Sequence, residues 1–317
     1  MLPRVLSLRV NKPETFDFHF TAAVYNFHWH FDGKSLYLAF PSEQATVLRV
    51  RDKGRELEIA AYSEQRLGKD QVHEAVEHAL GLSEDLDRFY ERLTGDRLLS
   101  YAAQKMRGFR VRSVGPWVAV MIAICQQRAS FIRGWKMLYR IYESLGRPVT
   151  LEGGDSTILP PSPSIVLNRQ DVLPKLSLGF RVSALVSAAR AFVEGEIALE
   201  DPDSFEADLR ALRGVGQYTA RLARVLGLRS YENPPIDDWT VKVVAEAYGV
   251  KPRQRDVEEF LVARYGDYAG LAVLLYTVVL DAEPLTRALE RIRKGLVSPS
   301  EQASKPTPLS LWKFVKF

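Results

Sequence analysis

The sequence has only one cysteine, Cys125, among its 317 residues. A single thiol allows neither a disulfide within the chain nor the four-cysteine ligand set of an iron–sulfur cluster. All five histidines fall in the first quarter, and the last is His78. An active site in the C-terminal two thirds must therefore use carboxylates, hydroxyls or lysine. Most zinc chemistry and most histidine-activated nucleophiles are excluded there, and no metal site is predicted.

Long uncharged apolar runs are also missing, because charged residues interrupt every apolar stretch before it reaches the length of a membrane span. The N-terminus has neither a long apolar segment nor a small-residue cleavage site. We therefore expect a cytoplasmic protein without a membrane partner. The net charge of +4 favours a polyanionic partner but does not identify one.

Strand signals fill the first sixty residues. Aromatic residues cluster or alternate over 16–20 and 25–31, an Asp-Gly tight-turn signal follows, and apolar residues resume over 35–40. Two further strands are expected over 45–51 and 57–62. The pattern predicts an N-terminal antiparallel β-sheet.

From about residue 70 to about residue 295, apolar residues recur at helical spacing instead, and one long helix is expected over 117–145. The sequence thus predicts an α+β protein with a β domain over 1–69, an all-α body over 70–298 and a tail over 299–317. Apolar and polar residues alternate at the end of the tail, which favours an added strand of the N-terminal sheet. The alternative is a short peptide that docks on a partner such as a sliding clamp.

Two glycines, Gly214 and Gly216, bracket Val215 in a turn between two predicted helices that together span 205–228. Glycine allows backbone angles closed to other residues and close approach to a phosphate. The free N–H groups at the start of the second helix favour an anion at the same place. The residues expected to contact phosphate are Gly214, Val215, Gly216, Gln217, Tyr218 and Thr219. Arginines at 210, 213, 221 and 224 surround the turn, and an ordinary packing joint between helices is the alternative.

A pair of carboxylates, Asp237 and Asp238, follows Pro234-Pro235-Ile236 at the start of the next predicted helix. One explanation is structural, since aspartate is a favoured N-cap and offsets the helix dipole. The functional explanation is a carboxylate beside the sugar of a bound nucleotide. Cleavage of an N-glycosidic bond builds positive charge on the sugar, which a carboxylate stabilises while it orients the attacking water.

The stretch Leu212-Arg-Gly-Val-Gly-Gln-Tyr-Thr-Ala220, followed about twenty residues later by a carboxylate that opens a helix, resembles the helix-hairpin-helix DNA glycosylase superfamily. The segment 238–244 is similar to patterns of adenine glycosylases and of 3-methyladenine DNA glycosylase II. The segment 265–272 resembles the pocket-lining helix of 8-oxoguanine glycosylases. The segment 124–130 is similar to the motif that fills the gap left by a flipped base. These matches cover about residues 105–280.

The resemblance implies a base-excision-repair enzyme that flips a damaged purine out of duplex DNA and hydrolyses its N-glycosidic bond. It gives the catalytic role to Asp238, with Asp237 as the lesser candidate. Bifunctional members carry a lysine at the position of Tyr218; tyrosine cannot form an imine, so water is the expected nucleophile. Lys242 is expected to serve a phosphate or surface role. A nucleoid-associated monomer without an iron–sulfur cluster or other cofactor is expected, with a monovalent cation at the hairpin as an option.

For the base pocket, Val273 stands where 8-oxoguanine enzymes carry a glutamine, which favours recognition by stacking. Electron-poor alkylated purines suit aromatic faces, and the candidates are Tyr218, Trp239 and Tyr276, each of which could equally pack in the core. Oxidised purines, with or without lyase activity, are the alternative substrate. A catalytically silent helix-hairpin-helix DNA-binding protein is the alternative from another class.

Gln127 and Arg128 are the candidates for the wedge that fills the vacated stack, because a guanidinium plane can stack on bases and meet phosphates. The alternative for Arg128 is an exposed arginine that contributes charge only.

Overall fold

The N-terminal part of the computed structural model is a four-stranded antiparallel sheet. The model describes residues 1–40, 44–300 and 304–315. The strands are β1 (Arg4–Asn11), β2 (Ser35–Ala39), β3 (Thr46–Asp52) and β4 (Glu56–Ser63), in the order β1-β4-β3-β2. Ile59 at the centre of β4 faces Leu8 on one side and Val50 on the other. Burial is continuous over much of β2 and β4, because one face of the sheet packs against the helices over 18–23 and 69–80 while part of the other face packs against Val149 and Leu151.

The strands predicted over 35–40, 45–51 and 57–62 are confirmed, whereas those predicted over 16–20 and 25–31 are wrong. The structure instead forms helix α1 (Phe18–Ala23), whose N-cap Asp17 accepts a hydrogen bond from the Phe20 amide at 2.9 Å. Aromatic clustering indicated burial there, but the capping aspartate decided the backbone conformation. The remaining edge strand, β1, carried no signal that the sequence analysis used.

The helical body follows the sheet. Its elements are α2 (Lys69–Leu80), α3 (Asp87–Arg92), α4 (Ser100–Lys105), α5 (Pro116–Gln126), α6 (Phe131–Leu145), α7 (Pro163–Asn168), α8 (Arg181–Glu194), α9 (Pro202–Ala211), α10 (Gln217–Leu228), α11 (Asp238–Tyr248), α12 (Gln254–Tyr265), α13 (Ala269–Val279) and α14 (Leu285–Arg293). A two-stranded hairpin, β5 (Arg147–Thr150) and β6 (Ser156–Leu159), interrupts them. None of the helices in the described ranges is both long and apolar enough to cross a membrane. The α+β class is confirmed.

The single helix expected over 117–145 is two helices, because the chain breaks between α5 and α6. Apolar periodicity continues across this break, so it could not reveal it. The break carries residues 127–130, which include Arg128 with a backbone φ of 44°. It becomes part of the rim of the cavity described below.

The core of the body is built on α5, which is buried from Ala119 to Cys125, and on α13, which is buried over almost its whole length. Helix α10 packs closely on α5, and a Cβ on Gly227 would lie 3.0 Å from the Cα of Pro116. Glycine therefore allows these two helices to approach closely without a shift of the backbone. Helix α2 begins at the predicted domain boundary, and its apolar residues Val72 and Val76 pack with the sheet. The domain limits over 1–69, 70–298 and 299–317 stay predictions.

The C-terminal segment, as far as residues 304–315 describe it, forms a turn and a short 3-10 helix, Leu311–Lys313. The strand predicted for this segment is therefore wrong over its described part, and Lys316 and Phe317 lie outside the described residues. Leu311 is fully buried, and the Trp312 ring lies 4.9 Å from the Phe31 ring. Leu311 packs in the core of the helical body and Trp312 packs against the cluster under the sheet, so side-chain packing replaces the strand pairing. Docking of the tail on a sliding clamp stays a prediction.

A buried polar cluster centred on Asp96 joins the C-terminal helices. The Asp96 carboxylate accepts hydrogen bonds from the hydroxyls of Tyr248 at 2.6 Å and Tyr265 at 2.9 Å, and it pairs with Arg264 at 2.6 Å. Burial alone would raise the pKa of Asp96, but hydrogen bonds from Tyr248, two backbone amides and Arg264 bring it below its ordinary value. The folded state therefore favours the charged carboxylate.

Replacing Asp96 by asparagine should lower the free energy of unfolding by about 2–4 kcal/mol at pH 7, because Arg264 loses its charged partner and the hydroxyls lose their acceptor. A carboxyl whose pKa is lowered by folding stabilises above its unfolded pKa, near 3.9, and this contribution disappears as the pH falls through the folded pKa. Urea denaturation should thus show that the difference in the free energy of unfolding between wild type and variant is smaller at pH 3 than at pH 7. Asp87→Asn, at an exposed ion pair, is the control and should change little. An equal effect of both substitutions would contradict the prediction.

Candidate active-site pocket

A cavity of about 320 Å³ opens between the start of α10, the start of α11, helix α13 and the break between α5 and α6. This volume is at the lower end of the range for small-molecule sites. Its walls are mostly apolar, and five aromatic side chains line it: Tyr25, Phe131, Trp135, Tyr218 and Trp239. The cavity therefore has the size for a compact group and is lined mainly by apolar and aromatic side chains.

Of the two consecutive aspartates, Asp237 lines this cavity and Asp238 does not. Asp237 is the N-cap of α11, and its Oδ1 accepts hydrogen bonds from the amide and the hydroxyl of Thr240, each at 2.8 Å. Asp238 is the first residue of the helix, and both aspartates are exposed. The capping bonds fix the Asp237 carboxylate at the cavity. The capping role and the pocket position thus belong to the same residue.

Glu283 is a second carboxylate at the cavity wall, and the sequence analysis missed it. Its side chain lies 3.4 Å from the Lys305 ammonium and 3.9 Å from the guanidinium groups of Arg287 and Arg291. Asp237 has no ion pair among the described residues. Glu283 is therefore neutralised by its neighbours, whereas Asp237 presents an uncompensated charge.

The hairpin has the geometry that the glycine pattern predicted. Gly214 has a φ of 84°, and a Cβ there would also lie 3.1 Å from the Cβ of Ala184. Val215 is buried, and Gly216 caps α10 without a side-chain hydrogen bond. The first N–H groups of α10, those of Gln217 and the residues after it, have no partner within their own helix. This turn is thus able to present amides to an anion.

Gln127 does not project outward as a wedge, because its side chain is buried against the hairpin. Its Nε2 donates to the Gly214 carbonyl at 2.9 Å and to the Thr219 hydroxyl at 3.0 Å. Arg128 beside it is exposed. Of the two predicted wedge residues, only Arg128 is available to a ligand outside the protein. The Gln127 side chain instead fixes the hairpin to the α5–α6 break.

Two of the four arginines expected around the hairpin form buried ion pairs within the protein instead of facing the hairpin's outer surface. Arg221 is buried and pairs with Glu206 at 3.2 Å and Glu258 at 2.8 Å, and buried Arg224 pairs with Glu206 at 3.3 Å. Arg210 and Arg213 are exposed, without an ion pair in the described part of the chain. Helical spacing places Arg221 and Arg224 on the inner side of α10, which the sequence pattern of basic residues alone did not show.

An exposed aromatic residue, Phe180, and a buried cation, Arg181, lie beside the same break, and the sequence analysis singled out neither. Phe180 is 59% exposed, unusual for so large an apolar side chain. The Arg181 guanidinium lies 4.4 Å from the centre of the Phe180 ring, and it donates hydrogen bonds to the carbonyls of Gln127 and Leu178. Arg128 and Phe180 are exposed next to the hairpin, and Arg181 is buried beneath the Phe180 ring.

Three of the four residues predicted for the base pocket, Tyr218, Trp239 and Val273, line the cavity. Tyr276 does not; it is fully buried, and its hydroxyl donates to Tyr265 at 2.9 Å, so its core-packing alternative holds. Burial and the nearby Asp237 charge raise the pKa of Tyr218 above its ordinary value, so the phenol is neutral.

Backbone strain is concentrated at the cavity. Six non-glycine residues in the described ranges have positive φ. Tyr25, at 53°, and Ala282, at 48°, line the cavity, while Arg128 and Asp281 directly precede lining residues. Such conformations cost free energy and persist only where the surroundings enforce them, and they gather at functional sites. The strain independently marks this cavity as the candidate site.

No protein-family model matches the sequence, and no curated protein matches it. Comparison with solved structures does find similar folds. A 3-methyladenine DNA glycosylase from Archaeoglobus fulgidus is 17% identical with a TM-score of 0.72, over 90% of this chain and 98% of that one. An 8-oxoguanine glycosylase/lyase from Clostridium acetobutylicum, solved with double-stranded DNA containing cytosine opposite 8-oxoguanine, is 17% identical with a TM-score of 0.67, over 92% and 99%.

A third structure, of MBOgg1 in complex with a low-affinity DNA ligand, is 20% identical with a TM-score of 0.69, over 90% of this chain and 96% of that one. All three likenesses extend over both the sheet and the helical body. At these identities the likeness concerns the fold. The chain therefore has the fold of the helix-hairpin-helix DNA glycosylases of the 3-methyladenine and 8-oxoguanine types.

Proposed function

We propose that this protein is a monofunctional DNA N-glycosylase that removes a damaged purine, with alkylated purines as the favoured substrates. One observation carries the proposal: Tyr218 in the first turn after the hairpin and Asp237 at the start of the next helix line a single aromatic cavity. A hairpin that holds a DNA strand through its phosphates would thus bring an extruded nucleotide to a carboxylate. The fold shared with DNA glycosylases supports the same function.

The proposed reaction is hydrolysis of the bond between the base and C1′ of the sugar. The base leaves with the bonding electron pair, positive charge develops on the sugar, and water adds its hydroxyl at C1′ while its proton passes to the carboxylate. A carboxylate at this place stabilises the cation and orients the water. The sequence pattern favours Asp238 for this role. Because Asp237 lines the cavity and is held by Thr240, the geometry supports Asp237 more strongly.

The absence of a lysine from the cavity wall, within the described residues, supports water as the nucleophile. Tyr218 stands where a lysine would be needed for an imine. Lys242 is exposed on α11 and lies outside the cavity wall. An abasic site is thus the proposed product.

The choice of an alkylated purine is supported by the wall of the pocket. Val273 offers no hydrogen bond to a base edge, and Trp239 uses its ring N–H on the Glu283 carbonyl at 2.9 Å. Gln126 and Ser130 also line the wall, but most of it consists of apolar and aromatic side chains. Ring faces and charge therefore contribute most to recognition, and a purine made cationic by alkylation gains from both. The proposal includes duplex DNA as partner, a monomer, a nucleoid-associated location and no cofactor.

Replacing each aspartate separately by asparagine tests which carboxylate acts. Asp237→Asn should lower the single-turnover rate of base release by about a hundredfold or more, because the charge that stabilises the sugar cation is lost. Asparagine is as good an N-cap, so α11 should be preserved. Asp238→Asn, the matched control, should lower the rate less than tenfold, and both variants should bind duplex DNA like wild type. The reverse order would return the role to Asp238, and full activity of both variants would show that neither aspartate is the catalytic group. Absence of base release from the wild type would leave a DNA-binding protein without this chemistry.

Trapping with borohydride tests the monofunctional assignment. We expect no covalent protein–DNA adduct, since no lysine is among the described residues that line the cavity and an imine needs an amine at the sugar. Strands should break at the excised position only after treatment with alkali. A bifunctional glycosylase under the same conditions is the positive control for the reagent. An adduct with this protein would show that a lysine, not water, attacks the sugar.

Salt titration of DNA affinity tests the proposed phosphate contacts. Affinity for an undamaged duplex should fall about tenfold or more between 50 and 200 mM salt, because bound cationic side chains release counterions. Arg128→Ala and Arg213→Ala should each reduce the log–log slope by about one. Arg9→Ala, at an exposed residue of β1, is the control and should leave the slope unchanged. A flat salt dependence would rule out this DNA-binding face.

A further inference from the structure

A cavity of about 370 Å³ lies between strand β2 and the helices α2, α5 and α6, and we call it the second cavity. It adjoins the candidate active-site pocket, because Tyr25, Ile122 and Trp135 line both. Its volume is within the range of small-molecule sites. Two of its lining residues, Ala39 and His78, are exposed, so a ligand can enter from the surface.

The charge of the second cavity is positive. No acidic residue is among the described residues that line it, whereas Asp237 and Glu283 line the active-site pocket. Arg112 lines it, is only 9% exposed, and makes no ion pair in the described part of the chain. Burial lowers the pKa of Arg112 to about 10, which leaves the guanidinium charged at neutral pH. Burial, and to a smaller extent the Arg112 charge, lowers the pKa of His30 to about 3, so this lining histidine is neutral.

The Arg112 guanidinium still has donors to offer. Its Nη1 donates to the carbonyls of Thr21 and Val24, and its Nη2 donates to that of Tyr25, each at 3.3 Å. These carbonyls at the end of α1 orient the guanidinium, but they carry no full negative charge. A guanidinium has five N–H donors, so the Nε–H and one N–H of Nη2 are left without a partner among the described residues. Such a planar pair of donors matches the two oxygens of a carboxylate.

Tyr142 on α6 supplies a further donor to the second cavity. The residue is 4% exposed and lines the cavity, and its hydroxyl makes no hydrogen bond in the described part of the chain. Burial raises the pKa of Tyr142 above its ordinary value, and the nearby Arg112 charge opposes the rise, so the phenol is protonated. Buried polar groups are almost always hydrogen-bonded. An unpaired donor beside an uncompensated cation therefore indicates an anionic acceptor.

The rest of the wall is mainly apolar, and six aromatic side chains line it: Tyr25, Phe27, Tyr37, Phe40, Trp135 and Tyr142. A ligand that fills this space needs an apolar body, and an aromatic ring packs well against other rings. One guanidinium compensates one negative charge, and a second charge would be buried without a partner at a large cost. The second cavity thus favours a monoanion over a phosphate dianion.

We propose that the second cavity binds a small aromatic monocarboxylate, whose carboxylate pairs with Arg112 and accepts a hydrogen bond from the Tyr142 hydroxyl while its ring fills the apolar part. This site goes beyond the proposed glycosylase function and does not depend on it. A bound ligand would lie one layer of side chains away from the active-site pocket, since Tyr25 and Trp135 line both cavities.

Calorimetric titration of the whole protein without DNA tests this site. The probes are 2-naphthoate and 2-naphthamide, which have nearly the same shape and differ in charge. The carboxylate should bind about tenfold or more tightly than the amide, because only the carboxylate compensates the Arg112 charge. Equal affinities for the two probes, or no binding of 2-naphthoate, would overturn the proposal.

Two arginine variants locate the binding. Arg112→Gln should lower the affinity for 2-naphthoate about tenfold or more, with little change for 2-naphthamide, because the charged partner of the carboxylate is lost. Arg110→Gln is the matched control: Arg110 is also buried and donates to the carbonyls of Phe109 and Glu84, but it does not line the second cavity. It should bind 2-naphthoate like wild type. Full affinity in Arg112→Gln, or equal losses in both variants, would place the anion elsewhere and refute the site.

Tyr142→Phe provides a test that does not depend on the folding of Arg112→Gln. Because the Tyr142 hydroxyl has no partner in the protein, its removal should not lower the temperature of thermal unfolding. Affinity for 2-naphthoate should nevertheless fall about threefold or more, through the loss of a hydrogen bond to a charged oxygen. Unchanged affinity in this variant would also count against the proposal. Base release from damaged DNA by a wild type that binds no 2-naphthoate would remove this site and leave the glycosylase function intact.

Discussion

The Gln127 side chain is the connection on which the candidate site depends. Its amide binds the Gly214 carbonyl and the Thr219 hydroxyl, and its backbone carbonyl accepts from Arg181. One buried residue thus joins the hairpin, the break between α5 and α6, and the start of α8. Because the hairpin leads directly into α10, this connection also fixes where Tyr218 enters the cavity. A buried amide with each of these bonds satisfied gives a joint with little freedom.

The sequence predicted the parts of the site that depend on local pattern. Two glycines around Val215 and two aspartates before a helix have local consequences for the backbone, and the structure has a turn and a cap there. Choosing between Asp237 and Asp238 required the capping geometry, since a motif read by spacing tolerates a shift of one residue. Tyr276 fitted the helical pattern of the pocket, yet it faces the Asp96 cluster. Periodicity defines a face but not what that face contacts.

Other residues of the site had no local signal at all. Tyr25 reaches the cavity because the segment after α1 packs against α13. A local sequence pattern cannot predict a contact between residues about 250 positions apart. Phe131 and Trp135, which line the cavity beside Tyr25, lie on α6. The apolar periodicity of α6 predicted only that they are buried. The segment between β1 and β2 and the segment after the last helix meet at Tyr25, through the Pro308 carbonyl. The ends of the chain therefore help to shape a pocket that the sequence motifs assign to its middle.

The left-handed residues around the cavity have a further consequence. Tyr25, Arg128, Asp281 and Ala282 each hold a conformation that non-glycine residues reach only at a cost in free energy. Packing elsewhere in the protein offsets that cost once, when the chain folds. Binding of a ligand would then need little additional ordering of the cavity rim, so less affinity would be lost to the entropy of arranging it. Folding itself thus preorganises the rim of the cavity.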